Sequence, residues 1–240
     1  MQVEVFSDVV CPWCYIGKRH MEQALERFPH ADQVSVTYRS YQLSPDTPKD
    51  ADGTLTEMLS EKYRVTLEQA QAMNDRVSGV AAEAGLDYHL DQAHPANTFD
   101  AHRLLHFAAA HGKQAEMKER LLASYFTEGK RIGDTDVLVG EAEAVGLDGI
   151  AARAVLDGTD YTDDVNADLS LAQAFGITGV PFFVIDRKYG LSGAQPAEVI
   201  RQALENAWME SHPLTMVGAT PAAAAASGDG DSCADGVCQV

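Results

Sequence analysis

Two cysteines with two residues between them, Cys11-Pro12-Trp13-Cys14, set the chemistry of this 240-residue chain. A sulfur at the start of a helix meets unpaired backbone N–H groups and the positive end of the helix dipole, which favour a thiolate. The spacing puts the second sulfur one helical turn on, within disulfide reach and facing inward. Pro12 suits the first helical position, where a missing N–H costs nothing. Cys11 is then expected to be the exposed nucleophile and Cys14 the buried thiol that resolves a mixed disulfide. The competing chemistry is half a zinc site, which needs about two further ligands. Cys233 and Cys238 supply them only if the C-terminal segment folds back over the motif.

The surrounding elements favour the redox alternative. Gln2–Phe6 alternates as a strand, Cys14–Phe28 carries helical periodicity, and Val34–Leu43 alternates again. This strand–helix–strand order predicts a parallel βαβ unit with the cysteines at the first strand–helix junction. A Pro/Asp-rich loop, Ser44–Gly53, leads into a block that is helical in pattern as far as Phe175. Thr66-Leu67-Glu68-Gln69 has capping-box form, Gly85 ends that helix, and Gly112 joins Asn97–His111 to Lys113–Thr127. Three further helices are expected at Asp134–Gly146, Asp148–Leu156 and Tyr161–Phe175.

Strand character returns in Val180–Ile185, turns at Asp186-Arg187-Lys188 into Tyr189–Gly193, and is closed by a helix near Pro196–Glu210. A lone hairpin is marginal in water, so strands from both ends must share one sheet, with the helical block inserted between them. The expected division is residues 1–43 with 176–213, an inserted helical unit at 54–175, and a tail at 214–240. Gly176-Ile177-Thr178-Gly179-Val180-Pro181 adds a second signal, because a proline at a strand start is a cis candidate. Beside a dithiol, backbone groups at Val180 and Pro181 could pair with an extended substrate segment by strand addition.

Composition narrows the partners. Eighteen bases against 36 acids give a net charge of −18, a field that repels phosphate backbones and anionic membrane surfaces. No apolar run has the length of a membrane span, and no basic start with an apolar stretch precedes the first strand. The expectation is a cytoplasmic protein. In a reducing compartment, sparse and locally paired cysteines point to redox or metal chemistry more than to a structural framework.

At this point the chain resembles the DsbA family of thioredoxin-fold proteins. The likeness rests on the CPWC after the first strand, the helical insertion, Gly179-Val180-Pro181-Phe182-Phe183, the hairpin and the closing helix. Ser7–Gly17 and Asn97-Thr98-Phe99-Asp100-Ala101-His102-Arg103 resemble its cytoplasmic FrnE-like branch. The likeness covers roughly residues 2–210. It implies an α/β thioredoxin-like fold, a nucleophile at Cys11, a resolver at Cys14, a cis-proline at Pro181, and Asn97 and His102 facing the active site. Pro12 and Trp13, with Val180 and Pro181, are then the expected substrate-contacting residues. The Pro-Trp pair departs from the Pro-His of classical DsbA and puts its extreme oxidising power in doubt.

Smaller signals remain. Asp8, three residues before Cys11, would be a proton relay for Cys14 if buried, or else a turn or cap residue. His102 and His106 share a helix face but have no evident third ligand, so no metal is expected. Met58, Met73 and Met117 read as core packing. Cys233-Ala234-Asp235-Gly236-Val237-Cys238 forms an auxiliary redox candidate. Its linker of about 18 residues reaches roughly 20–25 Å if flexible, far enough to return to Cys11.

The sequence therefore predicts exchange with protein disulfides or dithiols, supplied by glutathione or a thioredoxin-type electron donor, with no bound cofactor required. A glutathione-dependent transferase or isomerase of the kappa-class or 2-hydroxychromene-2-carboxylate isomerase type is the alternative on the same scaffold. Cys14 argues against it, since those enzymes typically lack the second cysteine. A zinc-binding or redox-sensing adaptor is the non-enzymatic alternative.

Overall fold

The structure is a computed structural model, and it describes residues 1–49 and 51–213. Strand β1 (Gln2–Ser7) runs parallel to β2 (Ser35–Ser40) and antiparallel to β3 (Phe182–Ile185). Strand β4 (Tyr189–Ser192) completes the hairpin, giving the order β2-β1-β3-β4. Strands from both ends of the chain thus share one mixed sheet. The hairpin turns through Asp186 and Arg187, both at positive φ, and Asp186 is tied to Gln2 by a backbone and a side-chain hydrogen bond.

Helix α1 (Pro12–Glu26) starts at Pro12, with Cys11 as its N-cap, two residues earlier than the periodicity predicts. The reason is chemical: Pro12 is at home in a first turn although it contributes nothing to an apolar stripe. Between β2 and β3 come α2 (Leu55–Tyr63), α3 (Leu67–Glu83), α4 (Phe99–Ala110), α5 (Gln114–Phe126), α6 (Thr135–Ala144), α7 (Gly149–Asp157) and α8 (Thr162–Ala174). Helix α9 (Ala197–Ser211) closes the fold. Thr66 makes the expected capping box, and Thr54 makes a second one at the head of α2. Strand β2 ends at Ser40, short of Leu43, because the Leu43 N–H turns to the Asp8 carboxylate instead of a ladder partner.

The core explains how the insertion comes to lie over the cysteines. Val3, Val5, Phe183 and Ile185 pack with Met21 and Ala24 of α1, with Phe28 just beyond its end, and with Ile200 and Leu204 of α9. On the other side of α1, Tyr15 and Ile16 join a second cluster with Leu104, Met117, Leu121 and Phe126 of the insertion. One helix therefore belongs to both cores. Its N-terminus, which carries the dithiol, is fixed relative to both at once.

Candidate active site

Cys11 caps α1 at φ −91° and ψ 113°, an extended conformation that lets the chain leave β1 and enter the helix. Both cysteines stand as thiols, and the Cys11 Sγ–H donates to the Val180 carbonyl at 3.5 Å. The Val180–Pro181 peptide bond is cis. Gly17, one turn beyond Cys14, allows this approach. A Cβ there would stand 2.9 Å from Pro181 Cγ and 3.3 Å from Phe183 Cζ. The Gly193 N–H holds the Pro181 carbonyl at 2.8 Å, so the hairpin anchors the proline from the far side.

Cys11 is not exposed as the sequence suggested: 3% of its surface is accessible, as for Cys14. Helices of the insertion and the Val180 segment wall it in, and the Tyr88 hydroxyl clamps the motif by donating to the Pro12 carbonyl at 2.7 Å. What separates the two sulfurs is the space they face. Cys11, Pro12 and Trp13 line a cavity of about 640 Å³, whereas Cys14 does not. Its other walls come from Val10, the loop with Leu43, Ser44 and Thr47, helices α2 and α3, the segment with Leu90, Pro95 and Ala96, Tyr125, and Gly179 and Val180.

Met58 and Met73 both line this wall; Met58 also packs against the core of the insertion, Met73 is 41% exposed, and Met117 is fully buried in that core. The periodicity that predicts an inward face does not distinguish a packed face from one that borders a cavity. Among the described residues, Lys62 and Arg76 are the cations of the lining, and no carboxylate lines it.

The two thiols titrate as one pair. The hydrogen bond between them pushes Cys11 well above the ordinary thiol range, reinforced by burial and by Asp8. Burial also opposes ionising Cys14, but Cys11 and Lys118 outweigh it and lower that thiol. The pair thus releases its first proton early and its second late, with one negative charge shared by two sulfurs.

Asp8 is completely buried beneath the motif. Its Oδ1 accepts from the Val9 N–H at 2.8 Å and lies 3.2 Å from His102 Nε2, while Oδ2 accepts from the Leu43 N–H at 2.8 Å. Burial raises its pKa, but these bonds, chiefly from His102, lower it further, so the group stays ionised. A carboxylate only accepts, so His102 carries its proton on Nε2.

His102 and Asn97 do not line the cavity, contrary to the expectation from the resemblance. His102 is fully buried against Asp8. Asn97 donates to the Thr47 carbonyl at 2.8 Å and the Pro45 carbonyl at 3.3 Å, and its Oδ1 accepts from the Phe99 N–H. It anchors the loop that carries Ser44 and Thr47 of the cavity wall, so it acts from behind the site. His106 lies against Ser40 and Asp168, and among the described residues no cluster fit for a metal is present. Cys233 and Cys238 lie outside the described residues.

Sequence reasoning missed Gly17, Tyr88 and Lys118. A glycine inside an otherwise good helix was the available signal for Gly17. Lys118 sits in Lys118-Glu119-Arg120, a run that reads as a solvated face, yet only 1% of it is exposed.

A paired dithiol at a strand–helix junction, facing a cavity beside a cis-proline in a thioredoxin-like sheet, defines a thiol–disulfide oxidoreductase. The chain belongs to the DSBA-like thioredoxin domain family, whose profile matches residues 2–205. It is similar to the probable DsbA oxidoreductase SCO1869 of Streptomyces coelicolor, at 44% identity over 95% of this chain and all of that one, with a TM-score of 0.85. YwbO of Bacillus subtilis is 27% identical over 208 residues, 86% of this chain and 96% of that one. The cytosolic disulfide reductase DsbM of Pseudomonas aeruginosa, solved with GSH, shares the fold at 19% identity and a TM-score of 0.59, over 86% and 98% of the two chains. Among the described residues no helix is long and apolar enough to cross a membrane.

Proposed function

We propose that the chain exchanges disulfides with protein or peptide substrates through Cys11 and Cys14, as a reductase or isomerase in a reducing, cytoplasmic setting. The observation that carries this is the asymmetry of the pair: Cys11 opens onto the cavity beside Val180, and Cys14 is sealed behind it. The Cys11 thiolate attacks a substrate disulfide, forming one sulfur–sulfur bond and releasing one substrate thiolate. Cys14 then attacks Cys11 Sγ, frees the second substrate thiol and leaves the Cys11–Cys14 disulfide. A thiol donor, glutathione or a thioredoxin-type dithiol, returns the pair to its reduced form.

The cavity's shape and lining support a substrate class. Trp13, Met58, Met73 and Tyr63 offer adaptable apolar contact, and methionine conforms to varied side chains. Lys62 and Arg76 favour a carboxylate, as in glutathione or an acidic peptide segment. Val180 and Pro181 are the backbone against which an extended substrate would align. Asp8, held as a carboxylate by two backbone N–H groups and His102, suits an electrostatic role near the thiols better than a proton relay. The auxiliary pair Cys233 and Cys238 would serve as a second dithiol exchanging with the first.

The test is insulin-disulfide reduction by the parent, Cys11→Ser and Cys14→Ser proteins. Turnover should vanish in both variants, and Cys14→Ser should accumulate a mixed disulfide at Cys11. Exchange that survives in Cys11→Ser defeats the proposal. Conjugation of glutathione to a small electrophile that persists in Cys14→Ser points instead to the transferase alternative.

A further inference from the structure

The helical insertion carries a buried ammonium to the back of the dithiol. Lys118 of α5 is 1% exposed, and its Nζ donates to the Ser7 carbonyl at 3.4 Å. Ser7 directly precedes Asp8, whose backbone N–H is directed at Cys14. Among the described residues Lys118 has no carboxylate within 4.0 Å, because Asp8 gives its oxygens to Val9, Leu43 and His102. A fully buried charge without a partner is costly, so buried charges are normally paired.

Two more observations fall at the same place. Ser7 Oγ and His102 Nδ1 are the buried side-chain polar atoms that lack a hydrogen-bond partner among the described residues. Ser7 sits beside Lys118, and His102 is on Asp8. Unsatisfied buried groups are uncommon and call for a reason. The Lys118 Nζ lies 6.0 Å from the centre of the Tyr38 ring of β2, and the ionisable groups that act on its charge are Asp8, which follows β1, and Cys11, Cys14 and Lys18 at the head of α1. Lys18 is already paired with Glu22 and Glu119. The anion left for Lys118 is therefore the thiolate.

We propose that Lys118 is the counter-charge of the Cys14 thiolate, a positioning residue of the insertion that sets the redox balance of the dithiol. The proposal rests on the exchange chemistry proposed above and adds what controls it. When Cys14 gives its proton to the substrate thiolate released in the first attack and itself attacks the Cys11–substrate disulfide, the ammonium stabilises the sulfur that must carry the charge. Once the Cys11–Cys14 bond has formed, the electron pair has left with the substrate thiolate, and Lys118 faces neutral sulfur. The lysine thus favours the dithiol over the disulfide form and draws the chain toward oxidising character. Burial pulls the Lys118 ammonium below its ordinary range, and Cys14 and Asp8 offset only part of that.

The test is Lys118→Met, similar in length and apolar, beside Lys118→Arg, which keeps the charge. Thiolate absorbance at 240 nm should titrate about one pH unit higher in Lys118→Met. The equilibrium with glutathione should move about tenfold toward the protein disulfide, about 30 mV for a two-electron couple. Lys118→Arg should stay close to the parent in both. A Lys118→Met protein with the parent's titration and glutathione equilibrium overturns the inference.

Should that variant fail to fold, nitrogen NMR of the lysine ammonium in the parent decides the matter. The Lys118 signal should titrate differently in the dithiol and disulfide forms, and identical behaviour in both overturns the inference. These readouts follow the dithiol and Lys118 without any protein substrate, so they stand apart from any failure of the parent to reduce insulin.

Discussion

Gly17→Ala sets two magnitudes against each other at the closest approach between α1 and the Pro181 segment. Within a helix, alanine is favoured over glycine by about 1 kcal/mol. The added Cβ would stand 2.9 Å from Pro181 Cγ and 3.3 Å from Phe183 Cζ. Carbon contacts prefer about 3.5–4.0 Å, so the methyl group intrudes on both. Neither neighbour yields easily: Gly193 holds the Pro181 carbonyl, and Phe183 is wholly buried in the sheet. Overpacking of this kind costs about 1–3 kcal/mol, which leaves a net loss of about 0–2 kcal/mol. The cheapest relief moves the Val180–Pro181 segment outward and opens the 3.5 Å contact to Cys11. Insulin reduction should therefore fall by more than the stability loss explains. Urea unfolding and insulin turnover measured together test this. A variant about 1 kcal/mol more stable, with parental turnover, would refute the steric argument, because propensity alone would then decide the site.

Three further outcomes follow from the same geometry. Asn97→Ala removes the bonds to the Pro45 and Thr47 carbonyls and should cost about 1–3 kcal/mol; peptide-substrate KM should rise while the thiolate titration at 240 nm stays put. Asp8, Glu4 and Asp168 all have pKa values lowered in the fold despite the opposing effect of burial, by His102 for Asp8, arginines for Glu4 and His106 for Asp168. Their stabilisation is complete above the unfolded values of about 4 and is lost as pH falls through the lower folded values; acid unfolding monitored by circular dichroism should steepen below about pH 4, and Asp8→Asn should shallow it. Cys233→Ser with Cys238→Ser should slow the return of the Cys11–Cys14 pair to its resting redox state, and unchanged kinetics would dismiss the relay.

Much of this was legible because the chemistry and the fold share one signal. A CxxC between a strand and a helix, followed by Val-Pro at a later strand, specifies which ends must meet in space, and they do meet in β1 and β3. What escaped has physical reasons. The cavity is assembled from α2, α3 and three loops distant in sequence, and periodicity reports which face of a helix is apolar but not what that face borders. The cavity-facing role of Met58 and Met73 was lost for that reason. Asn97 and His102 were expected to face the site, and they lie behind it instead. Their partners, a loop carbonyl and the Asp8 carboxylate, are tertiary contacts that no spacing encodes.

The wall-and-floor division of the site bears on where redox tuning resides. In the motif, Pro12 and Trp13 contribute no ionisable group beside the sulfurs, so the residues between the cysteines cannot supply a charge to stabilise a thiolate. The helix N-terminus helps Cys11, but its effect fades within the first turn, and Cys14 lies at the end of that reach. The remaining charges come from below: Asp8 against the thiolate and Lys118 for it. One lies at the end of the first strand and the other within the insertion. A change in how the insertion packs on α1 would therefore alter the redox balance without touching Cys11, Cys14 or the two residues between them. The direction of exchange would then be a property of the interface between the two cores, and sequences with the same four-residue motif could differ in it.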